Sequence, residues 1–108
     1  VVKAVLTVLK RDGRHEDFSR AKLRAAVCHA AVKRPISDPQ MDVLVDDVVH
    51  EIETEYEREV PSTVIGRKVM DKLEKLDEVA FLRFASVYRR FRDASQFLSE
   101  IENLIGRQ

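Results

Sequence analysis

The chain has 108 residues, of which 44% are hydrophobic and 35% charged, with 19 Lys plus Arg set against 19 Asp plus Glu. That length suits one compact domain that buries a core without metal or disulfide staples, and no apolar run approaches the ~18 residues that span a bilayer. Balanced charge gives no reason to expect a nucleic-acid polyanion as the main partner. Val1 to Leu9 is too short for a signal peptide, and no small-residue cleavage site follows it, so the expected setting is the cytoplasm, with no membrane partner.

Val1 to Lys10 is rich in β-branched residues and reads as a strand, with Val5, Thr7 and Leu9 on one side and Leu6, Val8 and Lys10 on the other. Asp12-Gly13 is a hairpin-turn signal, because glycine accepts positive φ without steric cost. A short return strand is expected over Arg14 to Phe18. Ser19 is placed to cap a helix whose stripe is Leu23, Val27, Ala30 and Ala31, and that helix stops before Pro35. Ser37 or Asp38 caps a second helix with Pro39 in its first turn. Met41, Leu44, Val45, Val48, Val49, Ile52 and Tyr56 share one of its faces.

Arg58-Glu59-Val60 is a short break that fits a third edge strand. Pro61 and Ser62 open a third helix, with Ile65, Val69, Leu73 and Leu76 inward. A fourth helix is expected from about Asp77 to Arg90. Phe81, Phe84, Ala85 and Tyr88 lie along one of its faces, and Val79, Leu82 and Ser86 along another, which makes it central to the fold or part of an interface. Asp93 caps a last helix carrying Phe97, Ile101, Leu104 and Ile105. The expected class is α+β, with a small antiparallel sheet (a hairpin plus a short third strand) packed with about five helices.

Little here suggests catalysis. His15, His29 and His50 have no metal-ligand spacing with one another or with Cys28. Cys28 and His29 are neighbours in sequence and so point about 100° apart on a helix. No serine sits in a glycine-flanked elbow, and the carboxylates fall on solvated helix faces. Cys28 lies amid Ala25, Ala26, Val27, Ala30 and Ala31 and reads as a small buried apolar residue. The chain is not expected to be an enzyme on its own, and no zinc site is read in it.

Phosphate binding has more support. Lys10 and Arg11 stand at the mouth of the Asp12-Gly13 turn, and Lys22 lies in the first turn of the helix that follows. Turn amides and a helix N-terminus add partial positive charge. There is no Walker-type glycine loop. On these residues alone, a basic turn standing in water is the better explanation of the pattern.

Val8-Leu9-Lys10-Arg11-Asp12-Gly13, followed by Phe18-Ser19-Arg20-Ala21-Lys22-Leu23, resembles the opening of the ATP-cone family. These nucleotide-binding modules sit at the N-terminus of many ribonucleotide reductases and in a bacterial repressor. The resemblance continues through Arg58 to Ser62, Ile65-Gly66, and Val79 to Phe91. The run from Arg83 to Phe91, with Asp93 and Phe97, is similar to the repressor type in particular.

The resemblance implies ATP or dATP as ligand, with Mg²⁺ as the common companion of a triphosphate. It places Lys10 and Arg11 on the phosphates at the Asp12-Gly13 turn, with Lys22 reaching them from the first helix. Val8 and Leu9 lie near the adenine, and Glu16 and Ser19 match positions that approach the nucleotide. Ser62 matches a polar position near base or sugar, and Arg83 and Tyr88 are weaker candidates. The expected domain is a single cone over residues 1–108, with the helix 93–106 as an extension. The implied partners are adenine nucleotides and further copies of the chain. DNA is engaged only through a four-cysteine zinc ribbon, which these residues do not contain. The expected function is adenine-nucleotide sensing with a change of oligomeric state, as in repression of ribonucleotide reductase genes. The allosteric cone of a ribonucleotide reductase, a free-standing cone protein and an interaction module without a ligand stand as alternatives.

Overall fold

A computed structural model describes residues 6–89, the side chains of 88 and 89 excepted. The elements run β1 (Thr7–Leu9), β2 (His15–Asp17), α1 (Arg20–Ala30), α2 (Asp38–Glu55), β3 (Glu59–Pro61), α3 (Ser62–Leu76) and α4 (Glu78–Arg89). The α+β class holds. Among the described residues there are four helices; the expected helix from Asp93, and Val1 to Val5 of the first strand, lie outside them.

The start signals act where the sequence places them. Ser19 caps α1, its hydroxyl accepting the Lys22 N–H at 3.2 Å. Ser37 and Gln40 form a reciprocal capping box on α2: the Gln40 N–H donates to Ser37 Oγ at 3.2 Å, and the Ser37 N–H to Gln40 Oε1 at 2.8 Å. Asp77, expected inside α4, is instead its cap, accepting the Ala80 N–H at 2.9 Å. Among the described residues, the two hairpin strands stop short of the turn that their sequence patterns reach. Lys10 and Arg14 close the turn with a 2.8 Å backbone bond from the Lys10 N–H to the Arg14 carbonyl rather than extending the ladder.

The sheet order is β2-β1-β3. β1 pairs antiparallel with β2, Val8 opposite Glu16, but parallel with β3, Val8 opposite Val60. The sheet is therefore mixed rather than antiparallel. Connectivity gives the reason. α1 and α2 run antiparallel, as the pairs Arg20–Asp46 and Arg24–Asp42 show. Two antiparallel helices return the chain to the end of the sheet it left, so β3 starts at the same end as β1. Pro61 is tolerated because β3 is an edge strand.

α1 packs on α2 and α4, and α3 on α2 and α4, closing a ring of four helices against the sheet. Val27, Val45, Val48, Ile52, Val69 and Leu73 are fully buried between them. The expected face of α2 is the buried one, with Val49 and Tyr56 at its margin. Leu76, expected inward on α3, is only partly covered. Ala80, Phe81 and Ala85 bury one face of α4, while Phe84 is half-buried at its edge. Cys28 is part-buried, with Arg24 Nη1 donating to its Sγ at 3.3 Å. Among the described residues, no helix is long and apolar enough to cross a membrane.

Candidate functional site

The first hairpin projects a small set of polar side chains toward two helix starts. Its turn is held by the Gly13 N–H donating to the Lys10 carbonyl at 3.0 Å, with Gly13 at φ +89. Asp12 accepts both the Arg14 N–H at 3.1 Å and Arg14 Nε at 2.7 Å, which fixes the turn from outside. Alternation along β1 puts Val8 and Lys10 on one face, and the register puts Glu16 beside them.

That face forms one wall of a cleft of about 220 Å³. α1 contributes its cap Ser19, then Lys22 and Leu23; α3 contributes Ser62, Ile65 and the side-chain-free Gly66; α4 contributes Phe84. The N-termini of α1 and α3 thus open onto the same space, each carrying partial positive charge. No side chain caps α3, whose N-cap is Pro61.

Glu16 links the two cations of the cleft. Its carboxylate lies 3.0 Å from Lys10 Nζ and 3.6 Å from Lys22 Nζ. The hydrogen bond from Lys10, reinforced by the charges of Lys10 and Lys22, holds the Glu16 carboxyl below its ordinary value. The remaining lining is largely apolar: Val8, Phe18, Leu23, Ile65 and Phe84. Cations, hydroxyls and helix N-termini together with aromatic and aliphatic surface around one cleft suit a ligand that joins an anionic group to a flat apolar one. The volume is below the roughly 300–1,000 Å³ usual for a whole drug-sized ligand.

Of the residues expected from sequence, Val8, Lys10, Glu16, Ser19, Lys22 and Ser62 line this cleft together. Leu9, Arg11, Asp12 and Gly13 do not: Leu9 faces the other side of β1, and the other three form the exposed turn beside it. Arg83 is turned elsewhere, with Nη1 donating to the carbonyls of Val32 at 2.5 Å and Ala30 at 3.3 Å, so it satisfies the C-terminal end of α1. The Tyr88 side chain lies outside the described residues.

The cleft also holds residues that the sequence does not mark as part of a site: Asp17, Phe18, Leu23, Ile65, Gly66 and Phe84. Phe18 and Leu23 had a readable signal. Flanking Ser19, they occupy the two positions of a hydrophobic staple. Among the described residues, no group of three or more His, Cys, Asp or Glu side chains is placed to hold a metal ion.

The family model described as the ATP cone domain matches residues 6–94. The chain belongs to the ATP-cone family. Within it, the transcriptional repressor NrdR of Opitutus terrae is 48% identical over 104 residues, covering 96% of this chain and 68% of that protein. NrdR of Desulfitobacterium hafniense is 48% identical over 103 residues, covering 95% and 67%. NrdR of Listeria welshimeri is 45% identical over 105 residues, covering 97% and 68%. The chain therefore resembles these NrdR proteins over most of its own length and about two thirds of theirs.

Proposed function

We propose that this chain is a regulatory nucleotide sensor that takes ATP or dATP in the hairpin cleft and acts in repression of ribonucleotide reductase genes, the role its resemblance to NrdR implies. One observation carries the reading: Lys10, Lys22, Ser19 and Ser62, from three different elements, meet around a single cleft whose remaining lining is largely apolar. Lys10 and Lys22 hold the phosphates, joined by Arg11 from the adjoining Asp12-Gly13 turn, and Mg²⁺ accompanies the triphosphate. The adenine lies against the apolar lining near Val8 and the backbone of Leu9. Glu16 and Ser19 approach the nucleotide, and Ser62 the base or sugar. The chain works as a regulator, not as an enzyme.

ATP and dATP differ by one ribose hydroxyl. Leaving a buried polar partner of that hydroxyl unmatched costs ~1–3 kcal/mol, enough for a useful affinity ratio. Affinity becomes a signal only when the two ligands favour different states of the protein, and the output proposed is a different oligomer with each nucleotide.

Calorimetric titration with dATP and then ATP, run beside light-scattering mass measurement, tests both halves. Saturable binding of both nucleotides, lost in the Lys10→Ala/Lys22→Ala double variant, is expected. No binding, or binding indifferent to the double variant, removes the site. An unchanged mass in both saturated states removes the assembly output.

A further inference from the structure

Phe84 lies between two hollows. On one side it closes the hairpin cleft against Ser62 and Leu23. On the other it lines a separate groove of about 900 Å³ between α1 and α4, with Ala26, Ala30, Val32 and Val87. Among the residues lining these two hollows, Phe84 alone is common to both.

Its neighbours are fixed. Ala85 and Phe81 are buried in the core. Arg83 is tied to the Ala30 and Val32 carbonyls at the end of α1. The backbone of α4 is thus held on either side of a ring that is itself only half-buried. An aromatic side chain between fixed neighbours moves in discrete rotamer steps rather than by continuous drift.

We infer that Phe84 is the relay by which occupancy of the hairpin cleft resets the surface groove between α1 and α4. The inference rests on the nucleotide reading above and supplies the route by which that reading reaches an outer surface. A base seated against Phe84 selects one ring position, and that position sets the floor of the groove beneath Val32 and Val87, which are 51% and 74% exposed. By linkage, whatever alters the groove alters nucleotide affinity by the same factor.

The test is a dATP titration of the full chain followed by methyl NMR. Val8, Leu23 and Ile65 report the cleft; Val32 and Val87 report the groove; Val43, in a separate hollow between α2 and α3, is the control. Cleft and groove signals are expected to shift along one binding curve while Val43 stays still. In Phe84→Leu at saturating dATP, the cleft signals move and the groove signals do not. Moving cleft signals with a static groove overturn the relay while leaving the nucleotide site standing, as does a groove response that survives Phe84→Leu or a shift shared by Val43. A silent cleft overturns the nucleotide reading and the relay with it. Val87→Trp gives a second route that leaves Phe84 intact: filling the groove changes dATP affinity by about fivefold or more, and an unchanged affinity overturns the relay.

Discussion

Arg34 and Asp77, 43 positions apart, lock the loop after α1 to the start of α4: Arg34 Nε is 3.1 Å from each carboxylate oxygen and Nη2 is 3.0 Å from Oδ2. The Asp77 side chain is only 7% exposed and also caps α4 through the Ala80 N–H. One carboxylate therefore serves two elements. Arg34→Ala strands it in a nearly dry site and is expected to cost about 2 kcal/mol, the scale of charge-assisted hydrogen bonds to a partly exposed arginine. Asp77→Asn keeps a competent cap and loses only the ion pair, so it should cost less than Asp77→Ala. Urea unfolding of the three variants gives the order, and an Asp77→Asn midpoint at or below that of Asp77→Ala contradicts it.

Acid should weaken the fold through the same group. The hydrogen bonds from Arg34, then the Ala80 amide, hold the Asp77 carboxyl below its ordinary 3.8. Glu51 is lowered from 4.5, first by Lys72, and Asp42 from 3.8, first by Arg24. Each carboxyl takes up a proton more readily in the unfolded chain. Its contribution is therefore complete above the unfolded value and is lost as pH falls through the lower folded one. The urea midpoint is expected to change little between pH 7 and roughly pH 5 and to drop steeply below about pH 4.5. Arg34→Ala should flatten part of that drop, and an equally steep decline in the variant removes Asp77 as a contributor.

Much of this organisation was legible in the chain because it is written locally. Ser19, Ser37 and Gly13 each act within a few residues of themselves, and the α2 stripe from Met41 to Ile52 needs only helical periodicity. What escaped was set by long-range geometry. The parallel direction of β3 follows from the α1–α2 return, which neither strand's sequence encodes. Arg83, a weaker candidate for ligand contact, donates from Nη1 to the end of α1, a bond that depends on the proximity of α4. Phe84 read only as part of an apolar face, since its place at the cleft depends on how α3 and α4 pack together. Lys10, Glu16, Lys22 and Ser62 come from the hairpin, α1 and α3 and converge only through the packing of those elements; their link was available from family resemblance but not from spacing.

Gly13 offers a clean measurement of backbone strain. At φ +89 it has nothing within 4 Å of where a Cβ would stand. Gly13→Ala therefore introduces no clash, and its cost is conformational, about 1–2 kcal/mol. In a domain of this size that lowers the melting temperature by roughly 4–12 °C. Gly13→Asn should recover part of the loss, because asparagine tolerates the left-handed region better. Equal melting temperatures for the Gly, Ala and Asn forms would show that the turn does not depend on this conformation.

The two cleft lysines should differ in how salt affects them. Lys10 is 39% exposed and Lys22 78%, although both face Glu16. A cation nearer the protein interior is screened less than one standing in solvent. Lys10→Ala is expected to weaken dATP binding by about tenfold or more, the scale of one charge-assisted contact, and to keep most of that effect in 0.5 M salt. Lys22→Ala should have a smaller effect that largely vanishes at the same ionic strength, since what it supplies is mainly long-range attraction across water. Calorimetry on the two single variants at low and high salt separates these cases. If Lys22→Ala proves the more costly change and is insensitive to salt, the phosphates sit at the start of α1 rather than at the hairpin, and the ligand lies the other way round in the cleft.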